Sequence, residues 1–421
     1  MNMLSRTHFS AIAFAGLLVL LVNSPSLAAE DVNEGGFRDR LQTQEENGIR
    51  ITAGVPDAKE SKQIFGSPLY RRGVQPVWLK IENNRDEYVS FLPVGLDPAY
   101  FTPIEAANLD LKDQGISDKR SLTSQRFFKA GLGNNNVPPG EQRSGFIFSR
   151  LDEGTKAFNV DVLGQSGLAT FTFFIQVPGL KIDHHTVDWH NLYPADQYRD
   201  LSRDELIEQI ESETCCTTDK KNKGSGDPVN LVVIGNPEDV YYAFIRAGWD
   251  ETETINRSST WKTIASFMSG SEYRYSPVSG LYVFDRPQDV AFQRARDNIH
   301  ERNHLRLWLA PYRYEGKSVF LGQISRDVGV RFTKKTITTH KIDPDVDETR
   351  EYLLENLAYS QALAKVAYLE GVGAASFEQP RGNLTGDPYF TDGYRLVLWV
   401  TSHPVDIADI KEEIWRVPPA R

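Results

Sequence analysis

Val229-Asn-Leu-Val-Val-Ile234 meets Gly235-Asn-Pro-Glu-Asp239, after which Val240–Ala247 carries a helical pattern. An apolar strand, a turn and a helix with Pro237 near its first turn open an α/β unit. Period-two alternation predicts further strands at Gly280–Phe284, His304–Leu309, Ser318–Ile324 and Tyr394–Val400. A long helix is predicted to start near Asp345–Asp347, to carry Leu353, Leu357, Ala364 and Ala367 on one face, and to stop at Gly371. Residues 229–421 are therefore expected to form an α/β unit with a mixed sheet.

Upstream of this unit the composition changes. Ser202-Arg-Asp-Glu205 is a capping box opening a short helix with Leu206, Ile207 and Ile210. The Lys-, Gly- and Ser-rich stretch Thr217–Asp227 follows it and reads as a linker, so residues 191–228 are assigned to helix and linker. Before them, Val77, Leu79 and Ile81 alternate with Trp78 and Lys80, and Phe146 and Phe148 with Ile147. Phe158, Val160 and Val162 form a third set, and Ala169, Phe171, Phe173, Ile175 and Val177 a fourth. Turn residues such as Asn83-Asn84, Pro138-Pro139-Gly140 and Asp152-Glu153-Gly154 separate the sets. Several half-buried strands in so short a span predict an immunoglobulin-like β-sandwich over residues 48–190. A short helical piece near Pro103–Leu111 interrupts them. The whole is expected to be multidomain, with residues 29–47 flexible.

Residues 1–28 read as a signal peptide. Arg6 and His8 precede the apolar run Phe9–Val22, and Ser26 and Ala28 are the small pair before the expected cut. The run is shorter than the ~20 apolar residues of a membrane-spanning helix. No second run approaches that length and no Cys follows the cut, so the mature chain is expected to be exported, periplasmic or extracellular, without a membrane span. Across all 421 residues, 47 Lys and Arg stand against 57 Asp and Glu, a net charge of −10. Nucleic-acid phosphates demand a basic surface, so nucleic acid is excluded as the expected partner. The two cysteines, Cys215 and Cys216, are adjacent. They cannot make a Cys-rich zinc site; they form either a vicinal disulfide or a bond to another chain.

At Gly226-Asp-Pro-Val-Asn-Leu-Val-Val-Ile-Gly235, Ala247-Gly-Trp249, Ser276-Pro-Val278, Phe284-Asp-Arg-Pro-Gln-Asp-Val-Ala-Phe-Gln293, Glu301-Arg-Asn-His-Leu-Arg-Leu-Trp308 and His340-Lys-Ile-Asp-Pro-Asp-Val-Asp-Glu348 the chain resembles the LssY C-terminal domain. The resemblance spans roughly Ile207 to Tyr359, with the blocks in order. Members of that family also occur joined to membrane proteins like DedA and the type-2 phosphatidic-acid phosphatases, which implies the cell envelope and lipid. Here a sandwich and a signal peptide stand where those membrane segments would be. The phosphatase chemistry belongs to the missing portion, and the resemblance carries no catalytic residue.

His300-Glu301-Arg302-Asn303-His304 fits H-E-x-x-H, which on a helix places two imidazoles around one zinc. Here Leu305, Leu307 and Leu309 alternate with Arg306 and Trp308, so His304 opens a strand. At that spacing the two imidazoles stand about 13 Å apart, too far for one metal. Asp343, Asp345 and Asp347 beside His340 offer oxygen ligands for a divalent cation. Helix capping by Asp345 with Glu348 is the simpler reading. Gly371-Val-Gly reads as a helix C-cap, and His184, His185 and His190 as surface residues.

Basic residues gather at Arg286, Arg294, Arg296, Arg302 and Arg306. Guanidinium forks suit phosphates and carboxylates, so Arg294, Arg296, His304, Arg306 and His340 form the candidate anion or ligand site. Pairing with Asp285, Asp289, Asp297 and Glu301 is the competing explanation. Alternation puts His304, Arg306 and Trp308 on one face of their strand, and a buried His and Arg there need partners. Two function classes follow. The first is an exported accessory or binding protein that recognises an envelope component, a protein partner or an anionic or lipid-linked ligand. The alternative is a hydrolase acting on a phosphorylated or lipid-linked substrate through an Arg/His/Asp pocket. No cofactor is expected beyond such a cation.

Overall fold

The computed structural model describes residues 36–111, 118–152, 154–179, 192–251, 280–295, 302–331 and 339–419. The N-terminal part holds strands β1 (Gln42–Glu46), β2 (Ile49–Gly54), β3 (Val74–Asn83), β4 (Val89–Leu92), β5 (Asn136–Val137), β6 (Gln142–Arg150), β7 (Gly154–Gly164) and β8 (Gly167–Val177). They make two four-stranded antiparallel sheets, ordered β1-β2-β3-β6 and β5-β4-β7-β8. Ile49, Ile51, Val77, Leu79 and Ile81 of the first sheet share one core with Phe91, Phe158, Val160, Phe171 and Phe173 of the second. The Val77, Phe158 and Phe171 sets read in the sequence are thus the inward faces of the sheets, where each large apolar side chain contributes ~1.5–3 kcal/mol by leaving water.

The first sheet has a second apolar face. Helices α1 (Ala58–Phe65), α2 (Pro93–Leu96), α3 (Pro103–Leu111) and α4 (Asp118–Ala130) lie among these strands. Phe65 of α1, Ala106 and Ala107 of α3 and Phe127 of α4 pack with Trp78, Phe146 and Phe148. Phe127 stacks on Phe148 with ring centroids 5.3 Å apart. Ile147 faces the inter-sheet core and its neighbours face the helices, so β6 is buried on both sides. A helical layer on one sheet is an addition that alternation alone does not announce. The stretch 29–47, expected to be flexible, is structured from Gly36 onward. Phe37 is fully buried, and Asn47 and Gly48, both with positive φ, turn β1 back onto β2. Residues 1–28, read as a signal peptide, lie outside the described part.

The C-terminal part begins earlier than composition implied. Its strands are β9 (Arg199–Leu201), β10 (Leu231–Ile234), β11 (Asp250–Glu251), β12 (Tyr282–Val283), β13 (Arg286–Pro287), β14 (Val290–Ala295), β15 (Arg302–Tyr314), β16 (Lys317–Arg331), β17 (Thr339–Ile342), β18 (Leu363–Leu369), β19 (Arg381–Gly382), β20 (Pro388–Tyr389), β21 (Arg395–Val400) and β22 (Lys411–Glu412). Its helices are α5 (Arg203–Ser212), α6 (Pro237–Arg246) and α7 (Val346–Tyr359). One mixed sheet runs β11-β14-β15-β16-β10-β21-β18-β22, with β9 parallel to β15 and β17 against β16. The central strand β10 is antiparallel to β16 and parallel to β21. Leu231, Val233, Leu305, Leu307 and Leu398 face α6 and α7; Val232, Trp308, Leu321, Val397 and Trp399 face α5. Both faces are covered, as an α/β arrangement requires.

Two expectations change here. Thr217–Asp227 does not join two units: Thr217 is fully buried, its N–H donates to Asp227 O (3.0 Å), and Thr218 and Tyr282 exchange backbone hydrogen bonds. Cys216 bridges Pro228, so the stretch is a packed excursion within the C-terminal part. Its charge and glycine content belong to an exposed tip around Lys220–Lys223, not to a spacer. The long helix also stops sooner, at Tyr359. Gln361 adopts φ 62°, the chain reverses, and Ala364 and Ala367 belong to β18, antiparallel to β21. Gly371 therefore follows a strand and is not a helix cap.

The two parts touch through α6. Thr155 Oγ1 and Tyr241 OH meet at 2.8 Å in the interior, and Phe174 stacks on Tyr242 with centroids 4.2 Å apart.

Candidate functional site

The α5-facing side of the mixed sheet is apolar at Trp308, Leu321 and Val397 and turns polar toward the start of β15. Register sets this layer. Arg306 pairs with Gln323, and His304 with Ser325 on one side and Gln293 on the other. Arg306 Nη1 donates to Gln323 Oε1 at 2.7 Å, and His304 Nε2 lies 2.7 Å from Asp327 Oδ2. Arg302 Nη1 donates to Gln293 Oε1 at 2.9 Å. From the loops, Asp227 Oδ1 accepts Asn383 Nδ2 at 2.8 Å, while Asn383 Oδ1 accepts the N–H groups of Thr385 and Asp387. Arg306 is 6% exposed, Asp327 3% and Gln323 0%.

Burial governs the electrostatics of this layer. It pushes the Asp227 carboxyl above its ordinary range, against the hydrogen bond from Asn383 and the field of Arg306. It likewise lowers the Arg306 guanidinium, against the fields of Asp227 and Asp327. Each charge leans on its neighbours to offset a desolvation cost that would be several kcal/mol for an isolated ion.

Of the residues expected to converge, His304 and Arg306 do share a face. Arg294 does not. It stands one residue out of phase, on the α6/α7 side, where Nη1 donates to Ala247 O (2.7 Å) and the guanidinium lies over Tyr352. The backbone of His340 pairs with Val330 in β17. Arg296, His300, Glu301, Asp297 and His184, His185 and His190 fall outside the described residues, and so does the Ser276 block. Arg286 is paired: it grips Asp289 through Nε and Nη2 (3.0 and 2.8 Å), while Asp285 accepts Asn222 Nδ2.

The three aspartates beside His340 each serve a local partner. Asp343 Oδ1 accepts the N–H of Asp345, and Asp345 Oδ1 accepts that of Glu348, capping α7 at 3.1 Å. Asp347 is buried and accepts Thr391 Oγ1 and Asp392 N–H beside Arg350. Among the described residues no group of three or more His, Cys, Asp or Glu side chains stands close enough to hold a metal ion. Cys215 and Cys216 are joined as a vicinal disulfide, with Cys216 Sγ 3.6 Å from Tyr389 OH.

The polar layer contains residues that pattern reading did not single out: Gln323, Asp327, Asp227, Asn383 and Asp387. One signal was visible for two of them, since Gln323, Ser325 and Asp327 alternate with Gly322, Ile324 and Arg326 at the end of an apolar strand. Asn383 lies 156 residues from Asp227 and carried no signal.

Residues 200–394 match the family model described as LssY C-terminus. The match takes in α5, the Thr217–Asp227 excursion and every residue of the polar layer, and leaves the two N-terminal sheets outside. No curated protein matches the chain.

Proposed function

We propose, from the LssY C-terminus match and the buried polar layer, that this chain is an exported accessory or binding protein of the cell envelope. Its N-terminal sheets act as an immunoglobulin-like recognition module, and its C-terminal part as a rigid platform. The observation that carries this reading is the enclosure of Arg306, Gln323 and Asp327, all at 6% exposure or less, with fixed partners inside the fold. Groups engaged in this way hold a sheet in register; general acid–base work requires them within reach of a substrate. The test is intact mass and native mass spectrometry of the protein from fractionated cells. We expect a mature chain beginning at Ala29, outside the cytoplasm, that retains an envelope component. Hydrolysis of a phosphomonoester by the pure protein, abolished in His304→Ala, would overturn it.

A second reading, the hydrolase, rests on one observation: Ser325 stands directly across from His304, whose Nε2 already meets Asp327. A hydroxyl, an imidazole and a carboxylate on one face are the groups that nucleophilic catalysis uses. Labelling of Ser325 by a fluorophosphonate probe, lost in Ser325→Ala, would favour this reading over the first.

A further inference from the structure

A cavity of about 220 Å³ opens where the outer face of β7 and β8 meets the ends of α6 and α7. Asn159, Thr172 and Gly95 line it from the N-terminal part, and Arg246, Ser360 and Gln361 from the C-terminal part. Arg246 is the one charged group in this lining. Its Nε donates to Ser360 O at 2.8 Å, Nη1 to Thr172 Oγ1 at 3.3 Å and Nη2 to Gln361 Oε1 at 3.2 Å. A guanidinium has five N–H groups, so one on each terminal nitrogen remains for a further acceptor. Arg246 makes no ion pair with a carboxylate of the described residues. Burial lowers it, and the field of Asp161 only partly opposes this. A half-buried cation with no carboxylate in ion-pair contact gains from an anion.

We propose that this cavity is a ligand site for a small hydroxylated carboxylate, of the size and chemistry of a sugar acid, held by Arg246 with Asn159, Thr172 and Gln361 taking its hydroxyls. Charge and lining choose among oxyanions. One guanidinium balances one negative charge, and the Asp161 carboxylate, which lies against Gly95 of the lining, disfavours a dianion such as phosphate. The fork of a guanidinium matches the two oxygens of a carboxylate. Amide and hydroxyl groups, each able to donate and to accept, suit the remaining sugar hydroxyls. Arg246 reaches Thr172 from across the junction, so the ligand contacts both parts of the chain. The site stands on this geometry alone and does not require the envelope reading.

Titration calorimetry on the full mature chain, with glucuronate, glucose and inorganic phosphate as probes, tests the assignment. We expect glucuronate to bind, glucose to bind at least tenfold more weakly, and Arg246→Gln to weaken glucuronate by about tenfold or more. Asn159→Ala serves as a second variant: it removes the acceptor of the Thr172 hydroxyl (2.9 Å) but leaves the Arg246 contacts to Ser360 and Gln361, and should also weaken glucuronate while lowering the melting temperature less than Arg246→Gln does. Binding of phosphate in preference to glucuronate overturns the assignment. So does glucuronate binding that survives both substitutions, or no binding of glucuronate at all.

Discussion

Arg306 Nη1 and Gln323 Oε1 meet at 2.7 Å on neighbouring strands, inside the protein and within the field of Asp227 and Asp327. A guanidinium placed this way serves the fold first. Arg306→Ala would leave buried carboxylates without their cation, and we expect a loss of ~3–5 kcal/mol in chemical denaturation. A melting temperature unchanged by the substitution would mean that Arg306 is not part of an internal network.

Two aspartates should respond to pH with opposite sign. Asp97 is 4% exposed; burial pushes its carboxyl up, but the N–H groups of Arg150 (2.7 Å) and Ala99 (2.8 Å) outweigh that and leave it below the ordinary value of 3.8. A lowered folded-state pKa stabilises above the unfolded value, and the gain is lost as pH falls through the folded one. Asp97→Asn should therefore cost ~1–3 kcal/mol at neutral pH, with the gap narrowing below pH 3.8.

Asp227 is raised by burial, so its contribution is full below 3.8 and is lost as pH rises through its folded value. The stability of Asp227→Asn relative to the parent should therefore rise as pH climbs from 3.8 to that folded value and level off above it. Urea melts at a series of pH values measure both slopes, and parallel curves for variant and parent would remove the argument.

Trypsin should cut the exposed tip at Lys220, Lys221 or Lys223 without separating the chain into two bodies. Strand β9 and helix α5 precede the tip, yet they pack on the same sheet as β10 and β16. We expect the nicked fragments to co-elute in native size exclusion and to part only in denaturant. Free fragments in native buffer would restore the linker.

The contact of Phe174 with Tyr242 should couple the unfolding of the two parts. Tyr242→Ala removes a stacked pair worth ~0.5–1.5 kcal/mol beyond its area. Calorimetry is expected to show one broad transition in the parent and two resolved ones in the variant. A single sharp transition in both would mean that other contacts carry the coupling.

Much of the C-terminal sheet could be read directly. The alternation of Leu305, Leu307 and Leu309 against His304, Arg306 and Trp308 is the division of β15 between its two covered faces. What could not be read was register. Grouping Arg294 with His304 assumed that the two strands were in phase, but pairing brings Gln293 beside His304 and sends Arg294 to the far side. A shift of one residue changes the face of every side chain, and no local pattern fixes it.

Composition misled in a different way at Thr217–Asp227, where a few exposed lysines outweighed the buried Thr217 and Asp227 at its ends. The helical layer over β6 escaped notice because Phe146, Ile147 and Phe148 are apolar on both faces, which alternation reads as one.

The placement of β10 between β16 and β21 also fixes an order of events. The parallel partner of Leu231–Ile234 begins at Arg395, so the middle of the sheet cannot close until nearly the whole chain has been made. The two N-terminal sheets draw their strands from residues 42–177 and can condense while the rest is still being synthesised. Until β21 arrives, the edge of β10 that it pairs stays open, and contacts this distant in sequence form slowly. During that interval β16 pairs one edge of β10 and Phe292 covers Phe244, while the edge of Leu231–Ile234 that β21 takes stays open.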